Sequence, residues 1–200
     1  DGVTHHGVFD MAAFGAVPGL TIAAPMNEPE LRNMMYTALG SGHPFMIRYP
    51  RGHGEGLPWR GEKFEALPVG RGRRLREGDD VALVSVGTVG NAAARAAERA
   101  AAEGVNAAHY DLRFVKPLDE ALLDEVGRKF RRVVTVEDGA LRGGVGEAVA
   151  AFFNDRGYDV RVHRLGIGDE WVEHGTPGQL YALCGYDEEG ILRALLDTRA

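Results

Sequence analysis

Apolar residues in this chain recur in short blocks, and the spacing inside each block separates strands from helices. "LTIAAP" (20–25) and "PFMIRYP" (44–50) read as buried strands stopped by proline. Between them Leu31, Met34, Met35, Ala38 and Leu39 fall at i, i+3, i+4, i+7 and i+8, an apolar helical stripe. Asn27 is a good cap for that helix, with Glu30 three residues on, Pro29 in the first turn, and Gly40 and Gly42 at its end. Residues 7–16 fit a short helix or turn. From 81 onward a regular alternation sets in. "VALVSVG", "VNAAHYDL", "RVVTVED" and "DVRVHRLG" are strands, separated by an Ala-rich helix (88–103), "LDEALLDEVGRKF" and "GGVGEAVAAFFNDRG", with one or two helices over 176–198. Short apolar strands alternating with helices predict an α/β fold with a mostly parallel sheet covered on both faces.

Residues 52–80 break this pattern. They are rich in Gly, Pro and charge, and predict a linker that becomes an edge strand near 69–75, the best domain boundary in the chain. The totals fit an ordinary globular protein: of 200 residues 44% are apolar, and the net charge of −6 argues against a nucleic-acid partner without excluding a local basic patch. The single cysteine, Cys184, leaves no internal disulfide framework and suits a reducing, cytoplasmic compartment. No apolar run approaches the roughly 20 residues that span a bilayer, so no membrane partner is expected. The missing initiator Met and abrupt start fit a fragment or a processed chain.

Four stretches carry candidate chemistry. "DGVTHHGVFD" (1–10) holds two adjacent histidines, which project to different sides and make poor joint ligands for one metal. The stretch is either a surface turn or a Gly-flanked loop presenting Asp1 and His5 to a polar substrate. "RYPRG" ends a strand with Arg48 and Arg51, where an open sheet binds ligands and a guanidinium favours phosphate or carboxylate. A pair of surface arginines is the plainer reading. "EDGALRGGVGEA" (137–148) imitates a dinucleotide loop, but Val149 stands where the third glycine belongs, so a turn for close helix–strand packing is expected. "RGRRLR" (71–76) is a basic patch or, with acidic residues following, an edge strand guarded against mispairing. Cys184 reads as a packing residue.

Taken in order, "DGVTHHGVFD", "IAAPMNEPELRNMMYTAL", "IRYPRG", "LRFVKPLDEALL", "VVTVEDGALRGGVGEAV" and "LGIGDEWVEHGTPGQL" resemble the C-terminal part of the 1-deoxy-D-xylulose-5-phosphate synthases, thiamine-diphosphate enzymes of the transketolase superfamily. The resemblance implies the second half of a pyrimidine-binding α/β domain at 1–60, a linker and edge strand at 61–78, and a transketolase C-terminal-type domain at 79–200. It implies a homodimeric transferase that joins pyruvate to D-glyceraldehyde 3-phosphate with loss of CO₂, feeding isoprenoid, thiamine and pyridoxal-phosphate synthesis. The elements holding thiamine diphosphate and Mg²⁺ would lie upstream, leaving no cofactor or metal residues here and the fragment alone inactive. Position by position, Asp1 and His5 would face the bound intermediate and the acceptor, with His5 a proton donor to the forming alcohol. Arg51 would bind the acceptor's phosphate with Arg48 in support, and His6 would be a neighbour of the catalyst. The C-terminal sheet would serve dimerisation and scaffolding. The alternatives are a transketolase, the β subunit of a 2-oxoacid dehydrogenase, or a non-catalytic dimerisation module of this fold.

Overall fold

In the computed structural model, which describes residues 2–61 and 63–197, the chain forms two sheets. The larger is built on β4 (Val81–Val86), whose six residues are all buried. Its neighbours are β5 (Ala107–Asp111) and β7 (Arg132–Ala140), both parallel to it, then β8 (Arg161–Ile167) beyond β7 and the antiparallel edge strand β3 (Arg73–Arg76) beyond β5. Successive residues of β4 supply opposite faces. Val81 and Leu83 pack with α3 (Val89–Ala102) and α7 (Glu188–Leu196), while Ala82 and Val84 pack with α4 (Glu120–Lys129) and α5 (Val145–Asp155). This is why the strand reads as an unbroken apolar run rather than an alternating one. Ala93, Ala96, Ala97 and Ala100 are all fully buried. Four methyl groups on one stripe let α3 lie close to both the sheet and α7.

The smaller sheet has the order β2-β1-β6. The strands β1 (Thr21–Ala23) and β2 (Phe45–Ile47) are parallel and joined by α2 (Glu28–Ser41). Asn27 caps α2 by accepting from the Glu30 amide at 3.2 Å, and Gly42 closes it at φ 70°. The short helix α1 (Asp10–Gly15) precedes this unit and buries Met11 against the larger sheet. Two further helical features complete the chain: α6 (Pro177–Cys184), opened by a Thr176–Gln179 capping box, and the turn that leads from it into α7.

The third strand of the small sheet, β6 (Phe114–Lys116), comes from beyond β5. It is a crossing that the sequence pattern did not predict. Arg113, at φ 58°, turns the chain out of β5, and β6 pairs antiparallel with β1. The Phe114 ring enters the small core with Ala23, Met34 and Leu67. The two sheets therefore share a strand connection and a charged seam. In that seam Glu30 of α2 accepts from Arg113 at 2.7 Å and from Arg73 at 3.0 Å, and Arg73 also pairs with the buried Asp111 at 3.0 Å. Burial raises the Asp111 carboxyl above its ordinary range, and Arg73 pulls it back in part.

The basic run 71–76 is accounted for here. Arg71 pairs with Asp119, Arg73 as above, Arg74 with Glu77 and Glu125, and Arg76 donates to Asn106 and to the Ala107 carbonyl. Its charge is answered by groups of the protein itself, as suits an edge strand.

His109, on β5, is fully buried, with Nε2 2.8 Å from the Ser85 hydroxyl and no partner at Nδ1. Burial, with Arg73 and Arg76 nearby, lowers its pKa to about 4. The folded state thus binds this proton less readily than the unfolded chain. The stability His109 contributes is complete above its ordinary pKa of 6.5 and is lost as pH falls toward 4. The full span is worth about 3 kcal/mol. Asp111 and Glu137, whose pKa values are raised, act in the opposite sense, so the histidine is isolated by difference. In the full-length protein, His109→Asn should lose less thermal stability than wild type between about pH 7 and about pH 5. Equal losses in the two proteins would contradict this assignment.

Candidate functional site

The parallel strands of both sheets point their carboxyl ends to one region, and a cavity of about 340 Å³ opens there. Strand ends in open α/β sheets leave backbone and loops free to meet a ligand, and the size suits a small metabolite. Five places in the chain line it: residues 5–10, the "RYPRG" turn after β2, Asp138 near the end of β7, Ile167 at the end of β8 with residues 170–172 beyond it, and α6 with Tyr186. A second cavity of about 420 Å³ lies against the same turn, between the start of α2 and the start of α3. Tyr49, Pro50 and Arg51 of this turn line both, together with Pro177, Tyr181 and Tyr186.

Of the residues singled out by sequence, His5, Arg48 and Arg51 converge on the first cavity; Asp1 lies outside the described residues. His5 is exposed, with Nδ1 3.0 Å from the Thr4 hydroxyl. His6 is engaged differently. Its Nε2 lies 3.0 Å from the Val172 carbonyl and must donate to it, which fixes the tautomer and ties residues 5–10 to the loop after β8. Phe9 reinforces that tie by meeting Trp171 edge to face at 5.9 Å. Arg51 is exposed on the cavity wall.

Arg48 lines the cavity and is held by acidic residues of the protein itself. Its Nη1 donates to Asp138 Oδ2 at 3.0 Å, its Nη2 to the Asp138 carbonyl at 2.7 Å, and its Nε faces Asp10 Oδ2 at 3.4 Å. The side chains of Arg48 and Asp138 are 9% and 8% exposed, so the pair sits in the cavity floor rather than on the wall. Burial alone would lower the Arg48 pKa, but Asp138 and Asp10 outweigh it and hold the guanidinium charged.

Sequence reasoning missed Asp138, Tyr181 and Tyr186, having read the C-terminal sheet as scaffold. Tyr186 donates to Asp138 Oδ1 at 2.9 Å and Tyr181 to Oδ2 at 3.3 Å. Burial and the adjacent carboxylate raise both phenols well above the ordinary range, so they remain donors. The available signals were an acidic dipeptide at a strand end and two tyrosines five residues apart; neither has a spacing that points to the other. Cys184 is partly buried, packs beside Tyr181 against the main core, and has its thiol pushed up by burial.

The Gly-rich turn before α5 explains its own failure as a nucleotide loop. Glu137 reaches into the helix start and accepts from the amides of Val145 and Gly146, both at 2.8 Å. A phosphate would occupy that position in a dinucleotide site. A Cβ at Gly144 would stand 2.2 Å from the Ala140 carbonyl, and one at Gly146 2.6 Å from the Thr135 hydroxyl, so close packing requires both glycines. Burial raises the Glu137 pKa while the two amides partly restore it. No group of three or more His, Cys, Asp or Glu among the described residues could hold a metal ion. No helix among them is long and apolar enough to cross a membrane.

Comparison with known proteins places this geometry. Residues 1–55 match the model of the transketolase pyrimidine binding domain, and residues 70–191 that of the transketolase C-terminal domain. The chain is 54% identical over 201 residues to a 1-deoxy-D-xylulose-5-phosphate synthase of Bacteroides fragilis, matching 100% of this chain and 31% of that protein. A 1-deoxy-D-xylulose-5-phosphate synthase of Symbiobacterium thermophilum is 44% identical over 191 residues, 96% of this chain and 29% of its own length. The chain thus spans about a third of the curated relatives it matches. Among solved structures, a split-gene transketolase described as an inactive β4 tetramer superposes with a TM-score of 0.82 at 27% identity, covering 96% of this chain and 61% of that one. A transketolase mutant from Pichia stipitis shares the fold, with a TM-score of 0.72 at 21% identity over 96% of this chain and 27% of its own.

Glu137→Gln should test the filled turn in the full-length protein. The amide would set an N–H against a helix N–H in a buried place, at a cost of about 1–3 kcal/mol. A clear fall in unfolding free energy is expected, and an unchanged thermal midpoint would contradict the role given to this carboxylate.

Proposed function

We propose that this chain, which belongs to the transketolase family through its C-terminal and pyrimidine-binding domains, is the acceptor-side portion of a 1-deoxy-D-xylulose-5-phosphate synthase. The full-length protein would condense pyruvate with D-glyceraldehyde 3-phosphate, releasing CO₂. Thiamine diphosphate and Mg²⁺ would be held by parts of the full-length protein outside this chain, and a cytoplasmic homodimer is the expected setting. The product would serve isoprenoid, thiamine and pyridoxal-phosphate synthesis. The observation that carries the reading is the convergence of His5 and Arg51 on one metabolite-sized cavity at the strand ends. The 54% identity favours the synthase over a transketolase, to which the solved likeness is 27% identical.

Within the proposal Arg51 binds the acceptor's phosphate, because a guanidinium donates paired, charge-assisted hydrogen bonds to such a group. His5, exposed on the cavity, protonates the aldehyde oxygen as it becomes an alcohol. Asp1 would stand beside it, toward the bound intermediate. His6 is spent on the Val172 carbonyl and positions the loop. Arg48 supports the phosphate site only indirectly, by holding the turn that bears Arg51.

In the full-length protein, Arg51→Ala should raise the KM for glyceraldehyde 3-phosphate by roughly 10- to 150-fold, the equivalent of a charged hydrogen bond of about 1.5–3 kcal/mol, and move the pyruvate KM little. Equal damage to both substrates would make Arg51 structural. His5→Ala should slow the joining step by about 10²- to 10⁴-fold. His6→Ala should cost much less. Rapid-quench analysis of intermediates with both substrates present separates the steps. Stalling before carbon–carbon bond formation in the His5 variant is the expected pattern, and near-normal turnover in it would return the loop to a plain surface turn.

A further inference from the structure

The buried group at the floor of the cavity has no part in the chemistry just proposed, yet every segment that bears a proposed site residue is attached to it. Asp138 accepts three side-chain hydrogen bonds, from Tyr186 at 2.9 Å, Arg48 at 3.0 Å and Tyr181 at 3.3 Å, and its carbonyl accepts a fourth from Arg48 at 2.7 Å. The two tyrosine rings lie 5.0 Å apart and come from α6 and the turn after it, so their positions are set by the packing of the C-terminal unit. The third nitrogen of Arg48 faces Asp10, the first residue of α1, whose other oxygen accepts from the Met11 amide at 2.8 Å. Arg48 is three residues before Arg51; Asp10 is five residues after His5.

The chain geometry gives this attachment its consequence. β2 is only three residues long, and residues 48–57 carry no regular structure. Residues 51–60 are all exposed. The Arg48 amide ties the start of the "RYPRG" turn to the small sheet by donating to the Ala23 carbonyl at 2.8 Å, and the Arg48 side chain ties the same turn to the end of β7. An anchor made from a buried, fully satisfied charge pair is well suited to this, since removal of either partner leaves the other desolvated and unpaired.

We propose that Asp138 is a positioning residue: clamped by Tyr181 and Tyr186, it fixes Arg48, and through Arg48 it sets the place of Arg51 and of the His5 loop relative to each other. A displacement of about 1 Å in such a site can cost up to about 100-fold. The catalytic part of this inference rests on the function proposed above; the mechanical part does not.

Two measurements on the full-length protein test it. The first is limited trypsin digestion of the folded protein, followed by mass spectrometry for cleavage after Arg48 and Arg51. Asp138→Asn should speed that cleavage about tenfold or more, and Tyr186→Phe, which keeps the ring and removes the donor, should do so to a smaller degree. Val149→Ala, at a fully buried core residue of α5 that does not line the cavity, is the control for general destabilisation. At matched loss of thermal stability it should leave this cleavage unchanged. The second is steady-state kinetics. Asp138→Asn should raise the acceptor KM by about 10- to 100-fold with a small change in pyruvate KM. The double variant Asp138→Asn with Arg48→Gln should be no worse than the poorer single variant, because both remove one anchor. Should Asp138→Asn fail to fold, Tyr186→Phe carries both measurements. If the wild-type protein does not join pyruvate to glyceraldehyde 3-phosphate, the functional reading fails while the digestion still decides the anchor. Digestion and acceptor KM like wild type, or changes no larger than those of Val149→Ala, would overturn the proposal.

Discussion

A desolvated charge that finds its partner across a seam is the constraint on which this structure rests. Two such pairings join the small sheet to the large one. Arg48 meets Asp138 at the carboxyl ends of the strands, and Glu30 meets Arg73 and Arg113 beside the crossing strand β6. Hydrophobic contact is non-directional and would let the two sheets slide on one another. Buried ion pairs do not permit this, because a shift of an ångström or two strands a charge without solvent or partner. The small sheet has three strands and a core of a few side chains, so its placement depends on these contacts more than on its own packing. The cavity lies on the seam and takes its shape from the same contacts.

This division of labour makes sense of what each part of the C-terminal unit does. Its sheet is covered on both faces and would stand as a scaffold on packing alone. Yet it also helps to build the cavity, with Asp138 in the floor and Trp171, Val172, Tyr181 and Tyr186 among the residues around it. The Gly-rich turn between β7 and α5, the place where many α/β proteins seat a phosphate, is filled by Glu137. The two neighbouring acids of one strand end thus face different tasks, one closing a site that will not be used and the next bracing one that is open.

Much of the architecture could be read from residue spacing. The β4 run, the Ala-rich α3 and the Asn27 cap are local signals, and each produces the element its spacing implies. β6 was illegible because it has three residues, two of them partly exposed, between a turn and a proline; pairing with a strand over 90 residues earlier leaves no periodic trace. The site was legible in part for a similar reason. His5, Arg48 and Arg51 drew notice from their residue type and their place at loop or strand ends. Their separation into a cavity wall and a cavity floor was not visible, because it depends on Asp138, 90 positions away from Arg48. Asp1 stays with the sequence argument alone.

In the proposed reading the "RYPRG" turn and the His5 loop form one acceptor site braced from below by Asp138. The most direct measurement is a crystal structure of the full-length protein with glyceraldehyde 3-phosphate bound. The account predicts the phosphate within hydrogen-bond distance of the Arg51 guanidinium, the aldehyde end toward His5, and Arg48 still paired with Asp138 beneath them. A phosphate seated elsewhere with Arg51 turned away, or Arg48 released from Asp138 to contact the ligand itself, would contradict it.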